Sequence, residues 1–233
     1  MKNIAILIMV VFMTFGLKAQ EIRMFSHISP GKKTVEYPAN KMDSITFATL
    51  PIPDDNTGVV INGVEWAPFN VDLPGTFTKS PTDAGWFYQW GSNLGWSSTS
   101  PLMASDSSST WIIVAETGNE WKSEKNPCPT GWRLPTKDEM QSLVNAGSRW
   151  CTWNNVNGRI LGTGAKNIFL PAPGFRINTT GVLNYKGAEG DYWTGDPCGA
   201  DNAYSLEFGA AATVINVKNY KRANGFSVRC VKE

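Results

Sequence analysis
From Gly58 onward, apolar residues come in short runs broken every few positions by Gly, Pro, Asn or Ser. Val59-Val60-Ile61 and Val64-Glu65-Trp66 flank Asn62-Gly63, a dipeptide that accepts the positive φ of a type I′ turn, so a β-hairpin is predicted. A helical period is clear at one place. Met140, Leu143 and Val144 share a face, and Thr136-Lys137-Asp138-Glu139 ahead of them is a capping box, which predicts a helix over 137–146. Strands are then expected at 150–153, 159–161, 168–170, 174–177, 182–185, 192–194, 203–208, 213–219 and 226–231. Leu206-Glu207-Phe208 and Phe226-Ser227-Val228-Arg229 alternate as half-buried antiparallel strands do. The Ser-, Gly- and Trp-rich stretch 77–108 reads as long ordered loops.

The segment upstream differs. Residues 24–28, 34–37 and 45–47 read as three short strands, with turn chemistry at Ser29-Pro30-Gly31-Lys32. A segment of this length, 20–48, cannot bury a stable core alone, so it is expected to dock or to serve as a pairing strand. Residues 49–57, with two prolines and two acids, form a linker to one domain over 58–233. The fold class is therefore α+β and mostly β: a loop-rich antiparallel sheet with one or two short helices, plus a small N-terminal β unit.

Composition narrows the chemistry. Met1-Lys2, an apolar run over 4–15 and Leu17-Lys18-Ala19 ahead of Gln20 read as a signal peptide cleaved between Ala19 and Gln20. The run is too short to span a bilayer core of ~30 Å, and no later stretch is apolar enough to do so. The product is expected to be exported: extracellular, on the cell surface or periplasmic. Loss of Lys2 and Lys18 with the leader turns the net charge from +1 to −1, which gives no reason to expect nucleic acid or an anionic membrane as partner. The one histidine, His27, excludes zinc sites with two histidine ligands and leaves Ser-His or Cys-His catalysis only a peripheral residue to use. Cys128, Cys151, Cys198 and Cys230 form an even set in an exported chain, which favours disulfides, and three pairings are open.

Several strings occur in a telling order. Asn126-Pro-Cys-Pro-Thr-Gly-Trp-Arg-Leu-Pro-Thr136 precedes the helix, Tyr192-Trp193-Thr194 follows a Gly-rich turn, and Gly225-Phe-Ser-Val-Arg-Cys-Val231 closes the chain. With Val64-Glu-Trp-Ala67 and Gln89-Trp-Gly91, these make residues 58–233 resemble the Fibrobacter succinogenes major paralogous domain family. The resemblance implies a C-type lectin-like, formylglycine-generating-enzyme-like fold in which the two ends of the domain meet. It gives Cys128 a reason to pair with Cys230, leaving Cys151 to pair with Cys198. The N-terminal unit, with Asp43-Ser-Ile-Thr-Phe47, is similar to short segments of secreted Bacteroidetes proteins.

Formylglycine-generating enzymes use a close reactive cysteine pair, and no two cysteines here are close in sequence, so no catalytic residue is assigned. Glu189, Asp191, Asp196 and Asp201 cluster along the chain; a solvated loop is the plain reading, and a calcium site from Asp191, Asp196, Asp201 and Asn202 the sharper one. No cofactor is required. Trp66, Trp111, Trp121 and Trp132 sit near strand or turn signals and are expected in the core. Trp86, Trp90, Trp96, Tyr192 and Trp193 lie in loops rich in Gly, Ser, Asn or Asp, and are the candidate ligand-stacking rings. The function expected is a non-catalytic, adhesin-like module that recognises glycan or an extracellular protein. A structural or tip subunit of a surface fibre, partnered by other surface subunits, is the alternative. A degenerate formylglycine-generating-enzyme-like or glycan-processing enzyme is the remote one.

Overall fold
Asn62 and Gly63 hold φ of 50° and 84°, the left-handed pair that a two-residue type I′ turn demands. β1 (Val59–Ile61) and β2 (Val64–Trp66) therefore pair as predicted, with Val59 opposite Trp66. The computed structural model describes residues 57–210 and 216–233. The expected leader, the N-terminal β unit with His27, and the linker up to residue 56 lie outside the described residues.

Thr136 caps α1 (Lys137–Asn145) through the expected reciprocal pair: Glu139 N donates to Thr136 Oγ1 (3.1 Å), and Thr136 N donates to the Glu139 carboxylate (2.7 Å). Arg133 grips the same carboxylate with two N–H groups at 2.7 and 2.8 Å, so the cap is tied to β5 (Trp132–Arg133). Met140 and Leu143 point into the core. α1 is the one α-helix among the described residues; Ser123–Lys125 adds a single 3-10 turn.

The rest is β structure in small sheets. β3 (Phe87–Tyr88) pairs with β4 (Gly95–Trp96) inside the stretch expected to be loops. β6 (Ser148–Trp153), β7 (Val156–Thr163) and β8 (Lys166–Pro171) form an antiparallel meander. β9 (Phe175–Arg176) pairs with β10 (Leu183–Asn184). β11 (Glu189–Cys198), β12 (Asn202–Gly209) and β13 (Asn216–Lys221) form a second meander, with a register shift in β11 between Trp193 and Pro197. β14 (Val231–Lys232) lies between β2 and β5, so the last strand closes against the first hairpin. The mostly β, α+β architecture stands as expected. No helix among the described residues is long and apolar enough to cross a membrane.

The strand expected at 226–231 is corrected. Residues 222–231 are all buried, polar and apolar alike, and the ladder shrinks to β14 plus single bridges from Phe226 to Tyr88 and Ser227 to Tyr192. The alternation reflects two buried faces, because Arg229 finds its partners inside. Its Nε and Nη2 both donate to Asn70 Oδ1 (3.0 and 2.8 Å), Nη1 donates to the carbonyls of Ala67 (3.1 Å) and Pro68 (2.9 Å), and Nη2 to that of Phe169 (3.0 Å). Burial lowers its pKa to about 10, which still leaves it charged at neutral pH.

Cys128 and Cys230 form a disulfide with Cα atoms 6.1 Å apart, stapling the segment before α1 to the residue that precedes β14. Cys151 and Cys198 are not bridged to each other, contrary to expectation. They stand on β6 and β11, strands of different sheets, and no ladder brings the two together.

Two predictions follow from the scaffold. Cys230→Ser should lower stability by roughly 3–5 kcal/mol in urea unfolding, because the bridge closes a loop with a sequence separation of 102 residues. The hydrogen bonds from Arg133, and then that from the Thr136 backbone, hold the Glu139 carboxyl below its ordinary value. Its contribution is therefore present above the unfolded carboxyl pKa and lost as pH falls through the lower folded value. Glu139→Gln should cost about 1 kcal/mol at pH 7 and flatten the acid limb of the stability curve, read by unfolding at a series of pH values.

Candidate functional site
Gly85 sets the position of the first candidate ring. Its φ is +70°, and a Cβ there would meet the Val71 carbonyl oxygen at 2.1 Å, so only glycine fits. The next residue is pinned by Trp86 N donating to the Val71 carbonyl (3.1 Å), and the indole lies over Gly95. Trp86 is partly exposed and lines a cleft of about 460 Å³. Asp72, Asp83, Lys79 and Lys186 bring charge of both signs to it, and Thr78, Thr82 and Ser98 bring hydroxyls. Burial, and then the neighbouring Asp83 carboxylate, push the Asp72 pKa up, while Lys79 opposes the shift. One aromatic face among carboxylates, ammonium groups and hydroxyls suits a polar ligand with a stacking side.

The other four rings expected to meet a ligand are fully buried: Trp90, Trp96, Tyr192 and Trp193. Their polar tips are used inside for the most part. Trp90 Nε1 donates to the Thr194 carbonyl (3.0 Å), Trp193 Nε1 to the Tyr88 carbonyl (2.7 Å), and Tyr192 Oη to the Pro171 carbonyl (2.8 Å). Trp96 packs against Trp111 with ring centroids 4.8 Å apart. Gly and Ser around these residues thin the loops so that large rings fit beneath them, and no open aromatic platform results. Trp66, Trp111 and Trp132 are buried as expected, and Trp121 packs partly buried beside Trp90.

A second groove, of about 820 Å³, runs past Trp121, Arg133, Pro135, Gly195, Asp196 and Glu233. It includes Gly195 and Asp196, just past Tyr192 and Trp193, but neither of those rings.

The calcium set expected from sequence does not assemble. Asp196 accepts from the backbone N of Lys137 at the first turn of α1, Asp201 is exposed and pairs with Lys221 at 3.3 Å, and Asp191 is buried in β11. The β11–β12 register builds a different group. Asp191 stands opposite Glu207, and Glu189 lies two residues away on the same face. One carboxylate oxygen from each of the three lies within 4.8 Å of the others. Both Asp191 oxygens are buried without a hydrogen-bond partner. Burial, then Glu189 and Glu207, hold the Asp191 pKa well above the ordinary carboxylate range, and Lys218 opposes this. The Glu189 pKa is raised by burial and by Glu207. Lys218 Nζ reaches Glu207 Oε1 at 2.6 Å from the exposed side of β13. Sequence reasoning named Glu189 and Asp191 but not Glu207, whose place depends on a strand register that no local pattern encodes.

The chain matches no family model, no curated protein and no solved structure.

Asp191 is the least satisfied group in this arrangement. A raised carboxyl pKa means that stability falls as pH rises from the unfolded carboxyl value through the folded one. Asp191→Asn should therefore stabilise the chain at pH 7 in buffer containing a chelator, by roughly 1–3 kcal/mol, read by thermal melting. A destabilised variant would mean that the carboxylate has a partner the geometry does not show.

Proposed function
We propose that the chain is an exported, non-catalytic, adhesin-like binding module with a C-type lectin-like fold, and that it recognises glycan or an extracellular protein through the Trp86 cleft. The observation that carries this reading is the contrast among the candidate rings. Four are fully buried and hydrogen-bonded or packed inside, whereas Trp86 keeps an exposed face in a cleft lined by acids, lysines and hydroxyls. Carboxylates and hydroxyls hydrogen-bond sugar hydroxyls or peptide groups, and the indole offers the apolar face on which a sugar ring or side chain stacks. The Cys128–Cys230 disulfide is compatible with export. The resemblance to the Fibrobacter succinogenes major paralogous domain family points the same way.

A second reading, a subunit of a surface fibre, is favoured by one feature. Ile112, Ile113 and Val114 form an exposed apolar run, the kind of surface that a neighbouring subunit covers. Concentration-dependent assembly of the purified chain, abolished by Ile113→Asp, would favour it.

The deciding experiment is binding of the purified mature chain to glycan and extracellular-protein arrays, followed by titration of the best hit. Trp86→Ala should weaken that binding by about 1–3 kcal/mol, with the melting temperature little changed, while Trp90→Ala should lose the fold instead. Undiminished binding by Trp86→Ala would move the site elsewhere. Panels of glycosidase, peptidase and esterase substrates should read blank.

A further inference from the structure
The three-carboxylate group on β11 and β12 lies outside both clefts and has a geometry of its own. In an antiparallel pair, side chains directly opposite each other have Cβ atoms only about 4.5–5.5 Å apart, and like charges there are destabilising. Asp191 and Glu207 occupy such a position, and Glu189 adds a third carboxylate beside them. The strand cannot move away to relieve the crowding. A Cβ at Gly190 would meet the Phe208 ring at 2.3 Å, so the opposite face of β11 is pressed onto the core. Gly209 stands opposite Glu189 and offers no side chain to fill the space above it.

We propose that Glu189, Asp191 and Glu207 form a binding site for a calcium ion. Two independent observations support it: three carboxylate oxygens within 4.8 Å of one another, and a buried Asp191 whose two oxygens have no partner. Calcium binds oxygens at about 2.3–2.6 Å, so two of its ligands stand at most about 5 Å apart, and the three carboxylates are close enough to share one ion with small side-chain adjustment. Magnesium, at about 2.0–2.1 Å, holds its ligands within roughly 4.2 Å and calls for a tighter cage. Three carboxylates offer up to six oxygens, and Glu189 and Glu207 are only half-buried, so water completes the shell of six to eight ligands. Lys218 neutralises one carboxylate from the rim of the group, and its ammonium competes with the ion for Glu207. With Lys218 counted, the ionised group carries two negative charges, the complement of one divalent cation.

The test is calorimetric titration of the chelator-treated, full mature chain with CaCl2 and separately with MgCl2, together with thermal melting in each salt. The expected result is one calcium ion per chain, a raised melting temperature and weaker binding of magnesium. Asp191→Asn and Glu207→Gln should each weaken calcium binding at least tenfold. Both remove a like charge from a crowded ladder and should remain folded by circular dichroism. Glu189→Gln, at a half-buried position, serves as the second variant if either does not. Lys218→Met should strengthen calcium binding severalfold, an effect that a purely structural carboxylate cluster would not produce. The proposal is overturned if the native chain shows neither heat nor a melting shift at calcium on the order of 10 mM, above the range of extracellular modules. It is equally overturned if Asp191→Asn and Glu207→Gln bind calcium as the native chain does. Neither outcome bears on the Trp86 cleft.

Discussion
A buried guanidinium has five N–H donors and keeps its charge at neutral pH, so the chain around it must supply oxygens from every direction. Arg229 imposes this demand at the centre of the fold. Asn70 accepts two of its bonds and Ala67, Pro68 and Phe169 accept the rest through carbonyls, so the chain after β2 and the end of β8 converge on one side chain. Asn70 passes the constraint on, donating to the Ala84 carbonyl (2.9 Å) and to Tyr192 Oη (3.2 Å). The residue after Arg229, Cys230, is covalently fixed to Cys128. Removing the arginine would leave those acceptors unpaired in the interior, and removing any acceptor would leave a buried charge short of partners.

The same device recurs where regular structure is scarce. Arg176 donates to the carbonyls of Ser97 (2.8 Å), Thr99 (2.6 Å) and Gly181 (2.6 Å), tying the Ser-rich loop to the turn between β9 and β10. Arg222 lies over the Trp90 ring at 4.2 Å and donates to the carbonyls of Asn202 (3.1 Å), Gly118 (2.8 Å) and Gly199 (2.7 Å). Loops have backbone groups without ladder partners, and long side chains with several donors satisfy them in bulk. Tryptophan does this too, with one donor and a large apolar ring: Trp111 donates to the Asn178 carbonyl in the turn between β9 and β10 and Trp121 to that of Lys125 in the 3-10 turn, while Trp90 and Trp193 tie to the carbonyls of Thr194 in β11 and Tyr88 in β3. Part of the tryptophan content therefore serves to fasten short and irregular segments to one another.

That distinction explains what the sequence made legible. Asn62-Gly63 and the Thr136-to-Glu139 box are local devices whose partners lie within four residues, and both formed as predicted. Trp90, Trp96 and Trp193 depart from expectation because their environment is non-local. Trp193 is buried by Tyr88 and Phe226, and nothing near residue 193 in the chain announces them. Trp86 differs from Trp90 and Trp96 by the open cleft beside it and not by composition, since Gly95 precedes Trp96 as Gly85 precedes Trp86. The alternation at 226–229 misled for a related reason. A polar residue in an alternating run reads as solvent-facing, yet Arg229 is buried because acceptors more than fifty residues away in sequence surround it.

Arginine and aspartate receive opposite treatment in this interior. The buried cations Arg176, Arg222 and Arg229 are answered by neutral carbonyls, which an irregular backbone supplies freely. A buried anion needs donors, and β11 spends its own N–H groups on strand pairing and on the chain around it. Asp191 is left with no donor and with two further carboxylates at hand. A fold that equips Arg176, Arg222 and Arg229 with at least three oxygens each does not lack the means to satisfy polar groups. Its failure to do so at Asp191, on a strand held in place by Gly190 against Phe208, makes the orphan carboxylate a feature of the β11–β12 register itself. What that register presents is an array of oxygens without protons between them, and the chemical complement of such an array is a cation.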